Sequence, residues 1–346
     1  MKINIYIVIY LLIFMIFSLS TIFSIGKTDQ FIKQIIFWII SFSILFSSIF
    51  INYSNLIRSP YFYIAYIVSI FFLIMILIFP AKNNIWFNIK GFYIQPSEFV
   101  RIALLLTLAL FISKNVNYLK NNFFLLFSFL IISPFILLIG LQPDLGMILL
   151  YIITWVAIII NFISLRQILI LFLVMAIFFV FGWNFILKDY QKLRIITFFN
   201  PDLDPLKYGY NIRQLKITIG SAGFWGKGFG NSTQAKLGFL PAAETDFILA
   251  SFIEERGIFG FLLYSLVFLL LLKTLIFESN FIKDPLGQVF TNILVIHLAV
   301  KLLLTSAINL SLFPIVGLTV PFLSYGGSHL ISDFILLSIW HNFRYS

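Results

Sequence analysis

Ten apolar runs of roughly membrane-spanning length, joined by polar stretches, constrain this chain more than any other feature. A helix needs about 20 apolar residues to cross the hydrocarbon core of a bilayer. Runs of that order lie near 5–25, 35–52, 61–80, 98–114, 123–141, 146–163, 167–187, 246–272, 287–312 and 325–342. Hydrophobic residues make up 61% of the chain and charged residues 10%, against about 25% charged in soluble domains. A water-soluble fold of 346 residues could not hide so much Phe, Ile and Leu. The runs are continuous rather than alternating, which argues against a β-barrel. The fold class expected is an all-α polytopic membrane protein of about ten transmembrane helices, forming a single membrane domain over 1–346. One large loop, 188–245, separates the seventh and eighth helices. The run Ile5–Ile25 lacks a small-residue cleavage site, so it reads as a first membrane helix rather than a removed signal peptide.

The net charge of +10 does not imply a nucleic-acid partner, because the basic residues stand singly in short joints. That scatter suits the positive-inside rule. With the N-terminus inside, the inner joints hold Lys2, Arg58, Lys114, Lys120, Arg166, Lys273, Lys283 and Arg344, and the short outer ones Lys27, Lys33, Lys82 and Lys90. Long loops translocate regardless of charge, so 188–245 is left out of the count. Both termini are then expected in the cytoplasm, with loop 188–245 and the residue that follows it on the outer face. There are no cysteines, which excludes disulfides, thiolate catalysis and Cys-ligated metals. His297, His329 and His341 are too few and too scattered for a His-rich metal site.

Loop 188–245 is too apolar for disorder and too long for a plain linker. It carries Arg194, Asn200-Pro-Asp-Leu-Asp-Pro205, Gln214 and the glycines 220, 223, 226, 228 and 230. A folded cap of short helices is expected. Gly226-Lys-Gly228-Phe-Gly230 follows no strand, so it supports neither a Walker A loop nor a Rossmann turn. It reads either as tight turns in a packed cap or as amides that, with Lys227, hold a diphosphate.

The loop ends at Thr245-Asp246, where a strongly apolar stretch begins. An acid at the mouth of a membrane helix is costly unless it is paired or used. Asp246 can be read as a helix N-cap or as an outward-facing base that takes a proton from a sugar hydroxyl. Glu254, Glu255 and Arg256 follow about two turns deeper; Arg256 neutralises only part of that pair, and Lys301 is a possible further partner. In Gln95-Pro-Ser-Glu98 the proline suits a helix start. Glu98 and Arg101 share a helix face, as a neutralising pair or as the polar lining of a cavity. Gln142-Pro-Asp-Leu-Gly146 reads as an interhelical turn capped by Asp144, or as part of a substrate cavity. Gly326 and Gly327 in Pro321-Phe-Leu-Ser-Tyr-Gly-Gly-Ser328 allow close helix approach. His297, His329 and Asp333 take structural readings.

Taken in order, these segments resemble the SEDS family (shape, elongation, division and sporulation) over nearly the whole chain. The resemblance rests on Trp86, Gln95-Pro-Ser-Glu98, Pro143-Asp-Leu-Gly146, Arg194-Ile-Ile-Thr-Phe-Phe-Asn-Pro201, Asp204-Pro205, Gly209-Tyr210 and Lys216-Ile-Thr-Ile-Gly-Ser-Ala-Gly223. It continues through Gly226-Lys-Gly228, Ser232-Thr-Gln234, Phe239-Leu-Pro241, Thr245-Asp-Phe247, Glu254-Glu255 and Ser324-Tyr-Gly-Gly-Ser328. The Lys216 run and Asn200-Pro201 favour the elongation (RodA) branch over the division (FtsW) branch. The resemblance implies a peptidoglycan glycosyltransferase that polymerises lipid II on the outer face of the bacterial cytoplasmic membrane, beside a class B penicillin-binding transpeptidase. It carries the family's essential acid onto Asp246, as general base. The substrate-binding residues expected with it are Arg194, Lys216, Lys227, Gln234, Glu98 and Arg101. A divalent cation (Mg or Mn) is expected to help hold the diphosphate, with Glu244 and Asp246 as possible ligands. Glu244 stands where the family commonly has His, Arg256 where it is usually apolar, Arg101 where Lys is common and Met147 where Thr is common. Two other readings stay open: a flippase or other transporter of lipid-linked precursors, and a non-catalytic cell-wall scaffold.

Overall fold

A computed structural model describes residues 4–50, 61–79, 85–89, 92–115, 122–185 and 187–345. The basic residues Lys2, Arg58, Lys82, Lys90 and Lys120 of the orientation count lie outside the described residues. The helices are α1 (Ile5–Ser24), α2 (Thr28–Ser47), α3 (Tyr61–Ile78), α4 (Pro96–Lys114), α5 (Asn122–Leu141), α6 (Leu145–Ile159) and α7 (Leu165–Phe185). After the large loop come α10 (Ile248–Ser279), α11 (Pro285–Asn309) and α12 (Gly327–Tyr345). Among the described residues, α1, α2, α4, α5, α7, α10 and α11 are long and apolar enough to cross a membrane by length and composition. The shorter or more polar α3, α6 and α12 complete the ten.

The apolar faces divide as a bilayer solvent demands. Leu169, Phe172, Leu173, Ile177, Phe178 and Phe181 of α7 are exposed, which suits acyl chains. α4, α11 and α12 bury polar side chains at the centre of the bundle, where lipid cannot reach them. Phe14 of α1 packs edge-on against Tyr264 and Phe268 and stacks on Phe322.

Two elements depart from the sequence expectation. α2 starts at Thr28, not 35, and runs through a polar turn because Gln34 is buried and useful there. Its amide donates to Ser18 and to the Ser324 carbonyl, and its oxygen accepts from Gly326 N–H at 3.0 Å. The second departure is a two-stranded antiparallel hairpin, β1 (Phe87–Ile89) and β2 (Phe92–Ile94), with Phe87 opposite Ile94. Such short alternating strands give no helical signal.

Residues 188–247 carry α8 (Asp189–Phe199), a 3-10 turn (Pro201–Leu203) and α9 (Tyr208–Gly220), then a run of turns. This loop is bolted to a break in α10. Gly257 lies at φ 69°, ψ −171° inside that helix, and a Cβ there would stand 2.1 Å from the Phe224 carbonyl oxygen. A Cβ on Gly226 would in turn stand 2.2 Å from the Glu255 carbonyl oxygen. With both glycines bare, backbone meets backbone. Lys227 and Gly228 N–H donate to the Glu254 and Glu255 carbonyls, and Ile258 and Phe259 N–H to those of Gly223 and Phe224. Two carbonyls before the kink and two N–H groups after it thus find partners in the loop.

The two ends of the bundle are distinct. Asn4 Nδ2 and Arg344 Nε both donate to the Glu278 carboxylate, at 2.7 and 2.6 Å, so the residues nearest both termini meet at the far end of α10. At about 1.5 Å per residue, the part of α10 beyond the break at Gly257 carries that end roughly 30 Å farther on.

Candidate functional site

At the start of α10 lies a cavity of about 480 Å³, within the ordinary range of ligand pockets. Its polar lining is Asp144, Tyr190, Arg194, Asn211 and Asp246, and its glycines are Gly146 and Gly317. Five stretches of chain converge here: the segment before β1 through Ile85, the α5–α6 turn, α8 with α9, the end of the large loop, and the α11–α12 connection. The glycines set the spacing. A Cβ on Gly146 would sit 2.1 Å from the Gly317 carbonyl oxygen, and one on Gly317 would sit 3.3 Å from Asp246 Oδ2.

Asp246 is partly buried, yet its carboxylate accepts no hydrogen bond and makes no ion pair among the described residues. It is not the helix cap: α10 begins after Phe247, and no side chain of that residue caps it. Burial pushes the Asp246 carboxyl up to about 6; the Arg194 guanidinium draws it down and Glu244 raises it further. Arg194 stands across the cavity on α8, its guanidinium 5.1 Å from the Tyr208 ring centre and 5.8 Å from that of Tyr190. Arg194 Nε is buried without an acceptor. Asp144 differs from Asp246 in being used: Oδ1 caps α6 through Met147 N–H at 3.1 Å and Oδ2 accepts from Gln95 Nε2 at 2.9 Å. Burial pushes its carboxyl to about 6 as well, with the Met147 amide opposing the shift and the nearby Glu98 and Asp246 charges adding to it.

The backbone under Asp246 is held at four successive carbonyls. Ser251 Oγ donates to Ala243 O at 3.0 Å and Tyr325 N–H to Glu244 O at 2.9 Å. Ser324 Oγ donates to Thr245 O at 2.7 Å, and Asn309 Nδ2 to Asp246 O at 2.9 Å. The Ser324-Tyr-Gly-Gly motif, which from the sequence reads only as a helix contact, therefore holds the two residues before the acid. Tyr190 and Asn211 also reach the cavity without any sequence signal beyond their polarity.

The remaining sequence candidates fall elsewhere. Lys216 is exposed on α9 and does not line the cavity. Lys227 is held by Glu254 at 2.7 Å. Gln234 gives its backbone N–H to the same carboxylate at 3.0 Å. Glu254 also accepts from Thr233 N–H and Oγ1 and from Ala235 N–H, so this acid is the anchor of the loop. Glu255 pairs with Arg256 at 3.3 Å. Arg256 in turn donates to Ser20 and Thr21 of α1 and lies 4.6 Å from the Phe252 ring centre.

Lys301 partners neither Glu254 nor Glu255. It lies 3.5 Å from Asp333 and 3.9 Å from Glu98, because α11 faces α4 and α12 rather than the loop. Arg101 completes this core, 3.1 Å from Glu98 and 2.7 Å from Asp333, with Ser332 as a further acceptor. Arginine can only donate, so His297 Nε2 accepts from it at 3.2 Å and Nδ1–H faces Thr154 Oγ1 at 3.2 Å. Two acids and two bases cancel in a fully buried cluster. Glu98 and Arg101 therefore sit behind the cavity wall rather than in it, one turn below Gln95.

Glu244 turns away from Asp246. Its carboxylate accepts from Gln30 Nε2 at 3.1 Å and lies 4.0 Å from Lys27 Nζ. No group of three or more His, Cys, Asp or Glu comes together as a metal cluster among the described residues.

Known proteins are similar to this chain in sequence and fold. The FtsW/RodA/SpoVE family, described as cell cycle proteins, matches residues 1–346. The peptidoglycan glycosyltransferase MrdB of Escherichia coli K12 is 35% identical over 272 residues, 77% of this chain and 73% of that protein. A probable peptidoglycan glycosyltransferase FtsW of Buchnera aphidicola is 32% identical over 320 residues, 89% of this chain and 78% of the relative. Among solved structures, one from a study of how a peptidoglycan synthase complex coordinates polymerization and crosslinking superposes with a TM-score of 0.80. It is 23% identical and covers 99% of this chain and 98% of its own. The rod shape determining protein RodA of Thermus thermophilus gives a TM-score of 0.69 at 19% identity, covering 98% of this chain and 95% of its own.

Proposed function

The chain belongs to the FtsW/RodA/SpoVE family of cell cycle proteins, and from that membership we propose that it is a peptidoglycan glycosyltransferase working from the inner membrane, with Asp246 as its general base. The observation that carries the assignment of the base is the Asp246 carboxylate: partly buried, unpaired and opposite Arg194 in a cavity large enough for sugar units. The RodA branch is the better fit, as the sequence motifs and the MrdB relative both indicate.

The substrate we infer is lipid II. The acceptor sugar hydroxyl gives its proton to the Asp246 carboxylate as its oxygen bonds to the anomeric carbon of the donor. The bond from that carbon to the diphosphate breaks, and the lipid diphosphate leaves with the electron pair. A carboxyl poised near 6 suits this work, since a base is most effective when its proton affinity lies close to the working pH. Arg194, with its buried Nε lacking an acceptor, offers charge to the departing diphosphate; guanidinium groups bind such oxygens in a forked geometry. Among the described residues no three His, Cys, Asp or Glu side chains gather as a divalent-cation site.

The orientation we propose puts the termini in the cytoplasm and the cavity on the outer face. The meeting of Asn4, Glu278 and Arg344 at the end of α10 opposite the cavity supports it, as does the placing of Lys273, Lys283 and Arg344 toward that end. A class B penicillin-binding transpeptidase is the partner we infer, on the likeness to a chain from a peptidoglycan synthase complex.

Purified protein in detergent with labelled lipid II tests the activity. There is no membrane to cross, so a polymerase makes glycan strands while a transporter leaves the substrate unchanged. Unchanged substrate with folded protein, with and without the transpeptidase, would overturn the reading.

A further inference from the structure

The start of α10 poses a problem that Asp246 does not solve. Ile248, Leu249 and Ala250 are fully buried, so water cannot satisfy the amides that every helix start leaves over. Phe247 provides no side-chain cap. The nearby acid that would normally take this task is Asp246, and a carboxylate drawn onto helix amides is held away from a substrate. Asn309, the last residue of α11, takes that task. Its Oδ1 accepts from Ala250 N–H at 3.0 Å while its Nδ2 donates to Asp246 O at 2.9 Å. One buried carboxamide thus grips both sides of the turn that carries the acid. Nδ2 also donates to Thr305 O at 2.9 Å, which fixes the amide's orientation, since only an N–H₂ group can serve two carbonyls.

We propose that Asn309 is a positioning residue for glycan formation: it caps α10 in place of Asp246 and fixes the Asp246 backbone, leaving the carboxylate free to face the cavity. The inference rests on the reading of Asp246 as base. Asn309 reaches neither substrate nor cavity, so it acts only through Asp246.

Two substitutions separate positioning from simple support. Asn309→Leu keeps the approximate volume and removes both contacts. Asn309→Asp keeps the acceptor for Ala250 N–H, so the helix stays capped, but cannot donate to Asp246 O. Lipid II polymerisation by the purified full chain is measured for both, with thermal melting to confirm folding and Asp246→Asn in parallel. Positioning predicts that kcat falls about 10- to 100-fold in Asn309→Leu, the scale set by small misplacements of catalytic groups, with KM within about twofold. Asn309→Asp should melt below the parent, because its buried oxygen faces the Asp246 and Thr305 carbonyls, and on the folded fraction should still show kcat at least about threefold low, because the Asp246 carbonyl is released. A role in stability alone predicts parental kcat in Asn309→Asp and would overturn the proposal, as would a loss carried by KM. If Asn309→Leu fails to fold, Asn309→Asp decides alone. If Asp246→Asn retains full activity, the base assignment fails instead; if it is inactive while both Asn309 variants match the parent, only the present inference fails.

Discussion

Two of the places where this molecule shields acids from bulk water treat them in opposite ways. Behind the cavity wall, Glu98 and Asp333 meet Arg101 and Lys301, with Ser332, Thr319 and His297 filling further valences. At the mouth of α10, the Asp246 carboxylate receives nothing among the described residues, although the backbone of 244–246 is held by Asn309 and by Ser324-Tyr325. The first arrangement spends acids on structure. The second fixes the chain and leaves the acid idle. A partly buried acid left unpaired among the described residues is a candidate working group, and the contrast sets it apart from the scaffold acids.

The comparison can be broken at either pole. The largest effect is expected at the idle acid: Asp246→Asn should lower kcat about 10²- to 10⁴-fold, the usual worth of a general base, while expression and melting stay near the parent. Polymer yield from matched amounts of folded protein checks this. Next comes the charge-paired cluster. Arg101→Met leaves two acids facing one lysine in a region without exposure, and loss of one partner from a buried pair costs about 3–5 kcal/mol. Thermal melting in detergent should show this as a large drop or a failure to accumulate. Exchanging all four charges for apolar residues of similar size should be tolerated better than the single change, since the penalty lies in the unpaired charge.

A smaller effect sharpens the contrast at the loop anchor. Glu254→Gln weakens the contact with Lys227 and one set of amides, at about 1–3 kcal/mol. Limited proteolysis should then cut faster within 221–240, with KM for lipid II altered less than stability. Lys227→Met, at a partly exposed partner, should cost about 1 kcal/mol or less. A selective rise in KM in that variant would return Lys227 to the substrate site, where the sequence reading had it.

Much of this was legible beforehand, and the reasons are physical. Apolar length announces a membrane helix from a single segment, so the spans could be read with shifts of a few residues. Asp246 was visible because it interrupts a composition boundary. The hairpin at 87–94 escaped because three-residue strands give too short a pattern. The partners of Lys301, the anchor role of Glu254 and the grip of Asn309 escaped because each joins segments tens to hundreds of residues apart, which spacing along one helix cannot reveal. Asn309 did leave a trace, as an amide closing an apolar helix, but its partner in α10 was not written beside it. Glu244 shows the converse. Its closeness to Asp246 in sequence suggested a shared site, whereas its side chain turns toward Lys27 and Gln30.

The central claim is that an unpaired carboxylate, raised by burial to about 6, takes the proton from the acceptor hydroxyl. The most direct test is the pH dependence of kcat for lipid II polymerisation by the purified chain in detergent. A base must be ionised to act, so the rate should climb as pH rises through about 6 and level off above it, while folding stays constant over the range. A rate that is flat from well below that point to neutrality, or that rises through it unchanged in Asp246→Asn, would contradict the account.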